Sequence, residues 1–310
     1  MTGKHFGLPF RAVLGLPVLG ILLLWSGVAA AAEDHPVRHG EGRLWKIERG
    51  DAPPSHVMGT IHVTDARVRD LPPEIRRAFE GSEQAAFELL FHPEEREKTA
   101  QAQRLPKRTS LAKLLDKETY EKVVELAAAY GIPARAVETM QPWALALTFQ
   151  VSPEEFRRRL DGDLILDLWL IQWAYDLGMR VVALEKVEEQ IAAFEAVQGE
   201  SDPAEILREV LAQLEENPDG HAELLEQYLA GDMRTAYRQV EEMAANDAEP
   251  DAQVFKEAFL DARNHTMVKR MLPLLKRGKA FIAVGALHMP GEEGILHLLE
   301  QRGYRVTRIY

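Results

Sequence analysis

Hydrophobic positions along this chain recur with two periods, and the switch between them marks out the elements. Leu44-Trp45-Lys46-Ile47-Glu48-Arg49 alternates apolar and polar residues, which predicts a strand. Gly50-Asp51-Ala52-Pro53-Pro54 has the chemistry of a turn, so the next apolar run, 56–61, is expected to pair back as a hairpin. Residues 83–91 read as a buried strand whose apolar run is broken only by Glu88. Further strands are expected at Arg180–Glu185, 280–286 and Arg305–Tyr310.

Elsewhere the period is helical. Pro72-Pro73 opens a short helix through Phe79, because proline fits a first turn. Ser110 is a candidate N-cap for a helix carrying Leu111, Leu114 and Leu115 and ending near Gly131-Ile132-Pro133. Helices are expected over Pro142–Phe149, from the start signal Ser152-Pro153-Glu154-Glu155, and over Asp163–Leu177 up to Gly178. Residues 186–260 read as wholly helical and acidic, with breaks near Pro203, Asn217-Pro218-Asp219-Gly220 and Pro250. A long helix follows from about Asp251 to Leu275, shortened by Pro273, then another over 292–301. Helix 163–177 between two apolar strands is the pattern of an α/β crossover. The expected fold is therefore α/β: a mixed central sheet with flanking helices and a large helical insertion at about 186–260, acting as a wall or lid.

The first 32 residues fall outside that scheme. Lys4 and Arg11 precede an almost wholly apolar run, Ala12–Val28, and Ala30-Ala31-Ala32 supplies small residues before Glu33. This is the pattern of a secretory signal peptide, 1–32, followed by a single domain over 33–310. The alternative is an uncleaved anchor, since the run is near the shortest that spans a bilayer. The protein is thus expected to be exported, periplasmic or secreted, and to meet a membrane only through this segment. The chain has no Cys, which excludes thiol catalysis and disulfides. Its net charge of −12 argues against a nucleic-acid partner, which requires a basic face.

Three Gly-x-x-His segments occur. Two, Gly59-Thr60-Ile61-His62 and Gly285-Ala286-Leu287-His288, follow strand-like runs; the third, ending at His297, lies in a helical pattern and is set aside. In α/β sheets, ligands bind beyond the carboxyl ends of strands. Glu88 within its apolar run needs a partner, because a lone buried charge is costly. Glu185 ends another strand, Asp167 interrupts an apolar helix and is read as pairing with a core arginine, and Arg263 lies between Phe259 and Met267 as an anchor for a carboxylate. Two histidines with one or two glutamates suit a divalent ion such as Mn, Co or Zn. His62, His288 and Glu88 are the candidate metal ligands, Glu88 or Glu185 the general base, and Arg263 the partner of a developing oxyanion. His-Glu-x-x-His, Gly-x-Ser-x-Gly and phosphate-loop motifs are absent.

These residues, with Gln141-Pro142-Trp143, Ala183-Leu184-Glu185, Arg263-Asn264 and Val284-Gly285-Ala286-Leu287-His288-Met289-Pro290-Gly291, resemble the TraB/GumN family, relatives of the Tiki metalloproteases and of the ChaN and erythromycin-esterase-like proteins. The resemblance runs through most of residues 44–304. It implies an α/β fold with both histidines and paired glutamates in one pocket, export or membrane association, and, for the Tiki branch, metal-dependent proteolysis supported by Mn or Co. Lys186 departs from the family, where Thr often follows the Leu-Glu pair. The family is functionally mixed and includes members linked to pheromone shutdown and to haem handling. Three readings follow. The first is an exported metal-dependent hydrolase, a peptidase with a peptide or protein substrate. The second is a non-catalytic module binding a peptide, a metal or haem in the same pocket. The third is an esterase-like hydrolase in which a histidine acts as base without metal.

Overall fold

The computed structural model describes residues 36–198, 202, 204–245, 253–254 and 256–310. The expected signal peptide therefore lies outside the described residues; among the described residues, no helix is long and apolar enough to cross a membrane.

Six strands form one mixed sheet. They are β1 (Leu44–Glu48), β2 (Ser55–Thr60), β3 (Gln84–Phe87), β4 (Arg180–Ala183), β5 (Ala280–Gly285) and β6 (Arg305–Arg308), in the spatial order β4-β3-β5-β2-β1-β6. β4, β3, β5 and β2 run parallel; β1 pairs antiparallel with β2 on one side and with β6 on the other. The expected hairpin is β1–β2, closed through Gly50 at φ 57°, a left-handed turn position that suits glycine.

Side-chain alternation sorts the strands between two cores. Met58, Ala85, Phe87, Phe281 and Ala283 face the helix Leu166–Asp176 and Tyr228, whereas Val57, Ala86, Ile282 and Val284 face the helix Ala262–Arg277. The parallel strands are thus covered on both faces, which is why β3 and β5 read as unbroken apolar runs. A third core is made only of helices and holds Tyr130, Trp143, Phe149, Phe156, Phe194 and Phe259.

Residues 186–260 contribute to more than one of these cores. Val187–Gln198 and Glu205–Glu216 place Phe194 and Leu207 in the helical core; Gly220–Ala230 places Leu224 and Tyr228 against the sheet; Arg234–Ala244 places Tyr237 beside Leu260.

Several observed elements are shorter than expected, and three differences have an identifiable cause. The strand expected over 83–91 ends at Phe87, because Glu88 turns its carboxylate to a neighbouring backbone N–H while Leu89 and Phe91 pack against Ile165 and Val187. The helix expected from Ser110 is two helices, Leu111–Leu114 and Lys117–Ala129, since Asp116 caps the second by accepting from Thr119 N–H. The long helix passes through a π-helical turn at Glu257–Asp261 and continues through Pro273 to Arg277.

Candidate active site

Each of the four parallel strands delivers one ionisable side chain just past its carboxyl end. His62 follows β2, Glu88 follows β3, Glu185 follows β4 and His288 follows β5 in a short 3-10 turn. Register makes them neighbours: Thr60 pairs with Gly285, Phe87 with both Ala283 of β5 and Ala183 of β4. Past the strand ends, Glu185 N–H still bonds the Glu88 carbonyl at 2.9 Å. All four side chains are buried, the histidines 6% and 5% exposed and the glutamates 2% and 4%.

The imidazoles are held in the same way by different groups. His62 Nδ1 lies 2.7 Å from Asp167 Oδ2, and Asp167 Oδ1 accepts from Thr60 Oγ1 at 2.6 Å. His288 Nδ1 lies 2.6 Å from Asn264 Oδ1, and the Asn264 amide donates to the Glu293 carbonyl at 2.8 Å. Because Asp167 and Asn264 can only accept at these oxygens, both Nδ1 atoms carry a proton, which leaves Nε2 as the nitrogen through which each ring, when neutral, offers a lone pair. Asp167 thus pairs with His62 and Thr60, where the sequence pattern suggested a core arginine.

The glutamates enclose Arg263. Its Nε donates to Glu185 Oε1 at 2.9 Å, and its Nη2 to Glu185 Oε2 at 2.7 Å and Glu88 Oε2 at 2.9 Å. Nη1 donates to the Phe259 carbonyl at 3.0 Å. Gln190 Nε2 adds a bond to Glu185 at 3.0 Å, and the second Glu88 oxygen accepts from Gly285 N–H at 2.7 Å. A buried guanidinium satisfies two buried carboxylates here because its fork meets both at once.

This electrostatic frame separates the histidines. Burial tends to lower the His62 pKa, but the Asp167 charge and hydrogen bond, with help from Glu88, outweigh it and hold that pKa above its ordinary value. His288 has an amide where His62 has a carboxylate. Burial and the Arg263 charge lower its pKa to about 3, so it stays neutral at physiological pH. Burial also opposes the Arg263 charge, yet Glu185 and Glu88 keep it firmly protonated.

Gly285 leaves the space in which these groups converge. A Cβ placed there would lie 3.3 Å from Glu88 Oε1, 3.5 Å from His288 Cδ2 and 3.8 Å from His62 Nε2. Glu88 Oε1 is also 3.9 Å from His288 Nε2. Among the described residues, no three His, Asp or Glu side chains stand as a formed metal cage. The donors nevertheless fit a divalent ion: two imidazoles are oriented through Nδ1 by buried acceptors, as metal-binding histidines usually are, and a carboxylate oxygen stands beside them.

The structure therefore brings His62, Glu88, Glu185, Arg263 and His288 together. His297 is elsewhere, in contact with Glu292 and Glu300. Thr60, Gln190 and Asn264 also belong to this network, although nothing in the sequence alone gives Thr60 or Gln190 a role there. Asn264 had one signal, a buried-face position one residue from Arg263 on the same helix.

Comparison with known proteins adds a family and several relatives. The chain matches the TraB/PrgY/gumN family over residues 43–308. It is 29% identical to the protein called metalloprotease TIKI2 of Danio rerio, covering 85% of this chain and 60% of that one. It is 28% identical to metalloprotease TIKI2 of Xenopus tropicalis (85% and 59%) and 27% identical to metalloprotease TIKI1 of Homo sapiens (85% and 61%). The chain spans about three-fifths of the length of these relatives. No solved structure matches it significantly.

Proposed function

The chain belongs to the TraB/PrgY/gumN family, and from that premise we propose that its pocket is a metal-dependent hydrolase centre acting on peptide bonds. The observation that carries the reading is the convergence of His62, His288 and Glu88 over Gly285, beside the similarity to proteins named metalloproteases.

His62 and His288 would hold the ion through Nε2, with Mn, Co or Zn all compatible with the donor set. Such an ion supplies Lewis acidity, polarising a carbonyl and acidifying a bound water. Glu88 is the carboxylate assigned to the ion or to the reacting water, since its Oε1 stands beside His288 while its other oxygen is fixed by Arg263. Glu185 directs both oxygens to Arg263 and Gln190, and is assigned to holding the guanidinium in place. Four of the five Arg263 N–H donors are used in these contacts, which leaves one on Nη1 for a developing oxyanion. Asp167 and Asn264 set the ring orientations, and burial of the cluster excludes bulk water. Export through residues 1–32 belongs to the same proposal.

The test is metal binding and turnover on one preparation. Protein stripped with chelator is titrated with Mn, Co and Zn, then assayed on a quenched peptide library. Wild type is expected to bind one ion and cleave, and His62→Ala to lose both. The proposal fails if wild type binds no divalent ion and chelator leaves turnover intact. Ion binding without cleavage under any of the three metals points to the binding-module reading.

A further inference from the structure

The segment after β2 that carries His62 has no regular structure, yet its three carbonyls at His62, Val63 and Thr64 each accept a hydrogen bond. The carbonyl of His62 accepts from Arg159 Nη2. That of Val63 accepts from Leu166 N–H at 3.2 Å, and that of Thr64 from Arg69 Nη2 at 3.3 Å. Val63 N–H closes on the Ile61 carbonyl at 3.0 Å. Thr64 N–H reaches both oxygens of Glu155, at 2.9 and 3.1 Å, and Thr64 Oγ1 donates to Glu155 Oε2 at 2.7 Å.

Glu155 and Arg159 lie on the helix Pro153–Leu160, far from His62 in sequence. Glu155 is buried, three residues past the N-cap Ser152, and its backbone N–H donates to the Ser152 hydroxyl at 3.1 Å. One turn later Arg159 donates through Nε to Glu155 Oε1 at 2.8 Å, an i, i+4 pair on one helix face. Phe156, adjacent to this pair around the helix, lies edge-on to Tyr130 in the helical core with centroids 5.6 Å apart. The buried side of this helix thus both anchors it in the core and reaches the segment that carries His62.

A buried ion pair is weak evidence of stability, because apolar residues of the same volume often stabilise as well. What apolar residues cannot do is hold a carbonyl. We propose that Arg159, fixed by Glu155, is a positioning residue that sets where the His62 imidazole stands by gripping the His62 main chain, while Asp167 sets the rotation of its ring. The inference rests on the reading of His62 as a site ligand, and its first test does not require that a metal bind.

That test is the long-range histidine ¹H–¹⁵N spectrum of metal-free protein. Arg159→Lys keeps a charge beside Glu155 but cannot bond Glu155 and the His62 carbonyl with one planar fork. The expected result is a folded protein in which the His62 Nδ1–H signal shifts or broadens while that of His288 is unchanged. Glu155→Gln is expected to do the same, and Arg157→Lys, an exposed neighbour on the same helix, to do nothing. Where wild type binds Co(II), Arg159→Lys should weaken binding 10- to 100-fold. A folded Arg159→Lys protein with an unaltered His62 signal overturns the inference, as does wild-type Co(II) affinity in that variant. Failure of wild type itself to bind metal overturns the proposed function and leaves the histidine spectrum to decide this point alone.

Discussion

Two histidines with the same local sequence acquire opposite electrostatic character from one atom in each orienting partner. A carboxylate behind His62 raises its pKa; an amide behind His288, with Arg263 nearby, allows burial to lower it to about 3. The signs for stability follow. The raised His62 pKa contributes stability below its unfolded value of about 6.5, and that contribution is lost as pH rises through the folded value. The lowered His288 pKa removes stability as pH falls from about 6.5 towards 3, by at most about 1.4 kcal/mol per pH unit, because only the unfolded chain takes up that proton. In metal-free protein, urea midpoints measured across this range should show a flatter acid limb for His288→Asn than for wild type; an unchanged slope would contradict the assignment. Gly285→Ala tests the space between the groups. Its φ of −49° accommodates alanine, so the melting temperature should move little, whereas the added methyl should weaken Co(II) binding at least tenfold. A calorimetric titration decides this, and undiminished affinity would count against the site. At this scale the sequence was informative about the groups that carry charge into apolar runs, His62, Glu88, Glu185 and His288. It was silent about Arg159 and Glu155, because Arg157-Arg158-Arg159 looks like a solvated basic turn and early acids look like ordinary helix starts. Their role depends on a contact 97 residues away.

Among the elements, the strands were legible for a plain reason. Their apolar runs are short, bounded by turn residues and either alternating or continuous, according to whether one or both faces are covered. What could not be read was where pairing stops. Glu88 sits in an unbroken apolar context, and the end of β3 before it is set by Gly285 and Arg263 in other elements. The π-helical turn at Glu257–Asp261 was similarly hidden in a continuous helical pattern. There Ala262 N–H reaches the Glu257 carbonyl, five residues back, and the Arg263 guanidinium takes the Phe259 carbonyl. Such turns frequently occur at functional sites. Deleting Ala258 would remove the extra residue and rotate the preceding turn by about 100° against the helix that carries Phe259 and Arg263, re-aiming Phe259 as the π turn closes to α. The expected result is loss of the 4.6 Å Phe194–Phe259 ring contact and a destabilisation well above the ~1 kcal/mol of an aromatic pair, read from the urea midpoint. A variant as stable as wild type would show that the turn carries no such constraint.

For the molecule as a whole, the carboxyl edge of the parallel sheet is where the candidate site residues meet, and their order in space is Glu185, Glu88, His288, His62. β2 and β5, which deliver the imidazoles, come from opposite ends of the described chain and lie side by side. An ion shared between them should therefore stabilise the entire fold. At a hundredfold excess over Kd the gain is about 2.7 kcal/mol, or roughly 5–10 °C in melting temperature for a domain of this size. Calorimetry with and without chelator measures it, and identical melts would show that no ion is held in the folded state. The α/β class and the mixed sheet followed from the pattern of runs. The division of the core did not, because the helices between 186 and 245 carry no sign of which neighbour they will meet.

The four strand ends that present the charged groups are also the points from which the longest connections leave. β3 and β4 are joined by more than 90 residues, and so are β4 and β5. Reactive groups and their supports are thus encoded apart: as long as Asp167, Arg263 and Asn264 are kept, other helices between the strands can be replaced to reshape the pocket around the strand tips. A lineage can then exchange cargo without reinventing its reactive centre, and kinship by these tips alone does not predict what the walls admit.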